Sequence, residues 1–312
     1  MKLHQLEAVA AIAKHGSLRA AARELGASQP ALTRNLAELE RELGVTIFER
    51  RARGMVPTLA GAAFVLRSEI ILNETRRAVE EVEQINGGGA GTLNVCLSIS
   101  AHLLLLPAAL KAFSRRYPLV QLNVVEGTFN EQEADLRSGR LDFYVGPQPE
   151  QKVPPELAEE LMFENVRAII CRKGHPKSNA STLEELVDSE WLAITSTRGG
   201  EEDFSGLFRR HGLPQPRVRL RGRSALTLMT VLRDSDLLAL VPIQWLGFDP
   251  MKDVVQAINV GETLPAPPIV AIRRRELPLT PAATHLLDLF RRKIANLDGT
   301  LGLPGPAAAP SG

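Results

Sequence analysis

In the stretch GASQPALTRNLAELE, from Gly26 to Glu40, polar side chains recur at a spacing that could read a nucleic acid. Gln29 and Arg34 can each make paired hydrogen bonds, glutamine to adenine and arginine to guanine in a major groove, while Thr33 can meet a thymine methyl or a phosphate. Ser28 precedes the run as a helix N-cap, and its hydroxyl with the first helical amides favours a backbone phosphate. Pro30 and Ala37 complete the same outward face. Taken alone, the stretch fits equally an ordinary core helix whose outer side is merely solvated.

The elements around it decide what that face is for. Leu3, Leu6, Val9 or Ala10 and Ala13 keep a three-to-four spacing that predicts a first helix from Leu3 to Lys14. LRAAARELG predicts a second from Leu18 to Leu25, with Ser17 as its cap, Ala20, Ala21 and Leu25 for close packing and Gly26 to end it. In the third helix Leu32, Leu36, Leu39 and Leu43 align along one stripe, which must face inward. Two short strands around Arg53-Gly54 in VTIFERRARGMVPT form a wing, and Arg50, Arg51 and Arg53 make a basic cluster there.

Thr58 caps a long helical pattern ending at NGGGAG, the clearest boundary in the chain. Val65, Leu72 and Val79 fall seven apart, and Leu66, Ile70, Val82 and Ile85 widen the apolar face, so a second copy is expected as partner, with Ser68 and Thr75 as imperfections in the seam. After Gly91, strands alternate with helices: TLNVCLSI, QLNVVEG and LDFYVGP form a βαβαβ run that predicts a parallel sheet. AIICRKGHP, WLAITST, RVRLRGR and LLALVPI, with helices at TLEELV, FSGLFRRHG and ALTLMTVLRD, predict a second α/β unit. IVAIRRR and PAATHLLDLFRRKI close the fold, and LDGTLGLPGPAAAPSG, residues 297–312, reads as a disordered tail.

Composition narrows the partners. The 312 residues suffice for two or three domains, and aromatics at 4% leave little for base stacking. The net charge is +1 overall, but the first 60 residues hold nine Lys and Arg against six Glu, a local +3. Cys96 and Cys171 lie in apolar strand-like runs without metal-ligand spacing, which predicts buried structural thiols and no metal. No signal peptide or membrane span is visible, so the cytoplasm is expected. The six histidines are scattered, GTFNEQ is not a phosphate loop, and NGGGAG precedes a strand, so no enzyme signature is present.

LEAVAAIAKHGSLRAAARELGASQPALTRNLAELERELGVTIFER, with PTLAG and the α/β half, resembles the LysR-type transcriptional regulators along nearly the whole chain. Ser17, the Ala20-Ala21-Ala22 run, Leu25, SQPAL and FER stand where that family's pattern places them. The resemblance implies an α/β fold with an all-α winged helix-turn-helix amino-terminal domain over 1–58, a linker and dimerisation helix over 59–88, and an effector domain over 91–296. It implies a type II periplasmic-binding-protein-like effector domain of two α/β subdomains, about 91–161 with 268–296 and about 162–267, with crossings near Leu161–Asn165 and Pro265–Ile269. DNA contacts are then expected at Ser28, Gln29, Pro30, Thr33, Arg34 and Arg53, and at Arg50 and Arg51 unless one pairs with Glu49.

Ligands in such sheets sit beyond strand carboxyl ends, near helix amino-termini. The matching positions here are Ser98, Ser100, Ala101 and His102; Thr128 and Phe129; Gly146. Thr195, Ser196, Thr197 and Arg198 form a further group, and Val241 and Pro242 the last. Their hydroxyls, with Arg198 and His102, suggest an organic anion as effector, a carboxylate or sulfonate on an apolar or aromatic body; His102 could equally narrow the cleft or face away. The expected partners are double-stranded DNA with an interrupted palindrome, the effector, further copies of the chain as dimer and tetramer, and RNA polymerase, with no membrane. The competing readings are a small-molecule-binding module without DNA regulation and an enzyme using a cleft serine and His102.

Overall fold

The computed structural model describes residues 1–52, 54–86, 90–194, 200–222 and 224–297, without side chains at 194 and 200–203. Three helices open the chain: α1 (Leu3–His15), α2 (Leu18–Glu24) and α3 (Gln29–Leu43). Ser17 and Ser28 cap the second and third, each accepting a hydrogen bond from an amide three residues on. Gly26, at φ +62°, turns the chain between them, a conformation that costs glycine least. Leu32, Leu36 and Leu39 of α3 join Ala8, Val9, Ile12, Ala21 and Ala22 in one core.

Several expected core positions fall elsewhere. In α1 the buried apolar residues are Leu6, Ala8, Val9, Ala11 and Ile12, whereas Leu3 is exposed, because the face that meets α2 and α3 is turned from the predicted stripe. Ala22 rather than Leu25 packs inward in α2, since Leu25 already lies past the last helical residue. Leu43 shares the angular position of Leu32 but lies eleven residues on, about 16 Å along the axis, and is exposed.

The wing is the hairpin of β1 (Phe48–Arg51) and β2 (Gly54–Pro57), pairing Phe48 with Pro57 and Arg51 with Gly54. It is held to the helices at two points. Met55 donates its amide to the Gly16 carbonyl at 2.8 Å, and Glu40 Oε1 accepts from the amides of Ile47 and Phe48 at 2.7 and 3.2 Å. Thr58 then caps α4 (Leu59–Ile85), accepting from the Gly61 amide at 2.9 Å while donating to the Thr46 carbonyl at 2.7 Å.

In α4 the buried positions are Gly61, Ser68, Arg77, Glu80 and Gln84, a largely polar set. Asn73 donates to the Ser138 carbonyl at 2.8 Å, and Arg77 to the carbonyls of Gly139 and Leu141, both at 3.1 Å. Arg140 returns an ion pair to Glu69 at 2.7 Å. Compact units follow these contacts: Met1–Gly91 groups with Ala134–Leu141, and Thr92–Glu133 with the residues from Asp142 on. The predicted apolar seam is therefore divided, with Val65 packed on the helical core while Val79, Val82 and Ile85 are exposed, as is Ile71 outside that seam.

The second unit contains two five-stranded sheets. The chain runs through β3 (Gly91–Leu97), α5 (Ile99–Leu104), α6 (Leu106–Arg116), β4 (Val120–Glu126), α7 (Phe129–Ser138), β5 (Phe143–Pro147) and β6 (Leu157–Phe163). It continues through β7 (Arg167–Arg172), β8 (Glu190–Ile194), α8 (Gly200–Arg210), β9 (Arg217–Gly222), α9 (Ala225–Arg233) and β10 (Leu238–Pro242). It ends with α10 (Asp249–Lys252), β11 (Val255–Ile258), β12 (Ile269–Arg274) and α11 (Pro281–Ala295).

The sheet orders are β4-β3-β5-β12-β6 and β11-β7-β10-β8-β9. Both are mixed rather than parallel, because β12 runs antiparallel to β5 and β6, and β7 antiparallel to β10 and β11. TLEELV forms only a 3₁₀ turn at Glu184–Leu186. The chain passes between the sheets at residues 164–166 and 259–268, where Val166 bridges Pro265 and Arg167 donates its amide to the Leu264 carbonyl at 2.8 Å.

A Cβ placed on Gly61 would lie 1.9 Å from the Ile47 carbonyl oxygen, a backbone atom already fixed by the hairpin. Gly61→Ala should destabilise the amino-terminal unit by about 1–3 kcal/mol, as overpacking does. Chemical denaturation followed by the helical signal measures this, and an unchanged midpoint would show that the helix-hairpin contact yields.

Candidate nucleic-acid interface and ligand cleft

With Leu32, Leu36 and Leu39 buried, Ser28, Gln29, Pro30, Thr33, Arg34 and Ala37 are all exposed on one side of the helix. Ser28 Oγ accepts from the Ala31 amide at 3.3 Å, leaving its own proton to donate outward. Thr33 Oγ1 donates to the Gln29 carbonyl at 2.9 Å, so the hydroxyl that remains for a partner is an acceptor and its methyl stays apolar. Among the described residues Arg34 has no ion pair, which leaves its planar fork available for a guanine edge or a phosphate.

The turn between α1 and α2 is braced by Lys14 and His15, whose contacts with Glu24 hold that carboxyl below its usual range, Lys14 contributing most at 2.9 Å. In the wing Arg51 is the arginine that pairs with Glu49, at 2.9 Å, and Arg50 is exposed beside it. Arg53 lies outside the described residues.

The cavity of the second unit, about 700 Å³, opens where the carboxyl ends of strands from both sheets meet. Its lining includes Ser98, Ser100, Thr128, Phe129, Val241 and Pro242 of the expected residues. Ser98 caps α5 and is buried; Ser100, 1% exposed, faces the cavity. Ala101 is turned instead into the hydrophobic core, and His102 approaches the Ser98 carbonyl with Nδ1 at 3.2 Å, so neither joins the described lining. Gly146 also lies behind it: a Cβ there would meet the Tyr144 hydroxyl at 2.2 Å and Ser98 Cβ at 2.9 Å. Thr195, Ser196, Thr197 and Arg198 lie outside the described residues.

Sequence reasoning missed the acidic and amide side chains of this lining, Glu126, Asn130, Glu131, Gln148 and Glu150, and Arg167, the one cation among its described residues. The signal was adjacent, because Glu126, Asn130 and Glu131 flank Gly127-Thr128, and Gln148 and Glu150 follow Gly146-Pro147. Glu131 Oε2 accepts from the Thr128 amide and hydroxyl at 3.3 and 3.2 Å, so the start of α7 is closed by the chain's own carboxylate.

The model for "Bacterial regulatory helix-turn-helix protein, lysR family" matches residues 3–62, and that for "LysR substrate binding domain" matches residues 86–295. The chain belongs to the LysR family of transcriptional regulators. Similar curated proteins are the transcriptional regulator GbpR of Azospirillum brasilense, 27% identical over 239 residues that cover 76% of this chain and 70% of GbpR. TdcA of Escherichia coli (strain K12), also a transcriptional regulator, is 23% identical over 280 residues, 90% of this chain and 89% of TdcA.

Solved structures share the fold. Full-length OxyR from Pseudomonas aeruginosa, a variant, superposes with TM-score 0.70 at 18% identity over 99% of both chains. CbnR, a LysR family transcriptional regulator, does so at 0.66 and 23% identity over 94% of this chain and 99% of its own, and another CbnR structure is complexed with its target DNA. This LysR-family chain is thus a DNA-binding transcriptional regulator with an effector domain, and its relatives are regulators rather than enzymes. No described helix is long and apolar enough to cross a membrane.

Both thiols of this LysR protein are buried. Burial, helped by Glu131 and Glu126, pushes Cys96 up to about 12, and burial raises Cys171 as well. The reactive thiolate is therefore depleted at neutral pH. Iodoacetamide at pH 8 should modify neither residue in the folded protein and both after denaturation; rapid labelling of Cys96 in the folded chain, read by mass spectrometry, would show the thiol is not protected.

Proposed function

We propose that this chain regulates transcription by binding an interrupted palindrome of double-stranded DNA as a homodimer, with a small-molecule ligand in the cleft setting the arrangement of the bound copies. The observation that carries the reading is the exposed start of α3, where Gln29, Thr33 and Arg34 stand over a buried leucine stripe and Arg34 has no ion pair among the described residues. The wing supplies Arg50 and, in the reading taken from the family, Arg53 for the flanking phosphates.

Dimerisation through α4 rests on its exposed apolar residues Ile71, Val79, Val82 and Ile85, which lie within one broad helical stripe. A second copy of the same helix would cover them and fix two α3 helices about one DNA turn apart, some 34 Å. Pairing of two such dimers into a tetramer, contact with RNA polymerase and a cytoplasmic location belong to the same reading. The ligand acts only by binding one subunit arrangement more tightly than another, since equal affinity for both would shift nothing. The expected organic anion was to be held partly by Thr128, whose donors Glu131 already occupies.

Footprinting on the DNA upstream of the gene tests the reading. It should show two protected half-sites about one turn or a whole number of turns apart. Gln29→Ala and Arg34→Ala should each weaken specific binding by about 1–3 kcal/mol and relax the base preference at one position of each half-site. Arg53→Ala should weaken binding to all sequences alike and reduce the slope of log affinity against log salt by about 1. A single unrepeated footprint, unchanged in all three variants, contradicts the proposal.

A further inference from the structure

The cavity lining is asymmetric in charge and in hydrogen-bonding sense. Glu126, Glu131 and Glu150 contribute three carboxylates, against one described guanidinium, Arg167, which already has a partner within the protein. Several donors of the lining are spent, the Thr128 amide and hydroxyl on Glu131, the Tyr144 hydroxyl on the Pro147 carbonyl at 3.2 Å, and the Gln148 amide on Glu159, which leaves the neutral amides of Asn130, Gln151 and Asn165. Acceptors remain. Ser100 is the independent sign of an occupant, because its side chain lines the cavity at 1% exposure and makes no hydrogen bond to any described residue.

The far side of the cavity is apolar, lined by Phe204, Leu228, Leu240, Val241 and Trp245. A ligand fitting both sides needs a hydrocarbon or aromatic body and a head that donates hydrogen bonds. We infer that the ligand of this cleft is an amphipathic organic cation, an amine whose ammonium group meets Glu126, Glu131 and Glu150 while its body lies against Leu228 and Trp245. A carboxylate head would face carboxylates of its own sign. A neutral polyol would satisfy lone pairs of Glu126 and Glu150 but bring no opposite charge as the cleft loses water, which an ammonium does.

This rests on the cleft being the ligand site, and the test separates the two claims. Full-length protein is titrated calorimetrically with butylamine, hexylamine, phenethylamine and tryptamine, each beside the alcohol and the carboxylate of matched skeleton. At least one amine should bind and raise the melting temperature, with its matched alcohol and carboxylate weaker by about tenfold or more, the scale of one charged hydrogen bond. Glu126→Gln with Glu150→Gln, both exposed, should lower its affinity by a similar factor, and Ser100→Phe should abolish binding by filling the cavity. If Ser100→Phe does not fold, the paired glutamine variant decides.

A carboxylate that binds more tightly than its amine, and is lost in Ser100→Phe, overturns the cationic class while the cleft stands as the ligand site. Amine binding indifferent to the cleft variants overturns the cleft as the site. No response to any amine also overturns the class.

Discussion

Burial of Leu32, Leu36 and Leu39 is the constraint on which the proposed DNA-reading face depends. Each buried leucine contributes about 1.5–3 kcal/mol relative to exposure, so rolling α3 by half a turn would forfeit several kcal/mol and expose all three. Among the described residues Arg34 has no ion pair to aim it, and Gln29 contributes only its carbonyl, to Thr33. Their direction is set from below, by the core shared with Val9, Ile12, Ala21 and Ala22. Glu40 extends the same logic to the wing, because its carboxylate holds the amides that begin β1 and ties the hairpin to the end of α3.

The linker helix follows the opposite rule. Its buried side is polar and is held by directional bonds, Arg77 to the carbonyls of Gly139 and Leu141 and Asn73 to that of Ser138, while Ile71, Val79, Val82 and Ile85 remain outside. A buried guanidinium requires such acceptors, and the left-handed turn at Gly139, φ +77°, brings one of them. The polar side thus fixes which way the apolar side points. An exposed stripe of this kind is what a symmetric partner would need. α7 adds a covalent path, since its first residue Phe129 lines the cleft and its residues from Ala134 on group with α4.

What could be read from the sequence was the local chemistry. Serine and threonine caps, glycine turns and the Arg53-Gly54 hairpin all depend on a few neighbouring residues, and Ser17, Ser28 and Thr58 cap as their positions imply. What could not be read depends on distant partners. Leu43 and Leu25 look like core residues until the ends of their helices are placed, and β6, LAEELMF, hides as a strand because exposed Glu159 and Leu161 interrupt the side on which Leu157 and Phe163 are buried. The cleft shows the same division. Strand-end hydroxyls at Ser98, Ser100 and Thr128 were legible, whereas the carboxylates of Glu126, Glu131 and Glu150 acquire meaning only when separate loops share one cavity.

The most direct test of the central claim is photocrosslinking from α3 itself. An azidophenylalanine at position 33, in the exposed first half of the helix, should crosslink to bases within each half-site, whereas one at position 38, also exposed but on another side, should not. Crosslinks from position 38 with none from position 33 would mean that another face of the helix enters the groove and that this LysR protein does not read DNA through Gln29, Thr33 and Arg34.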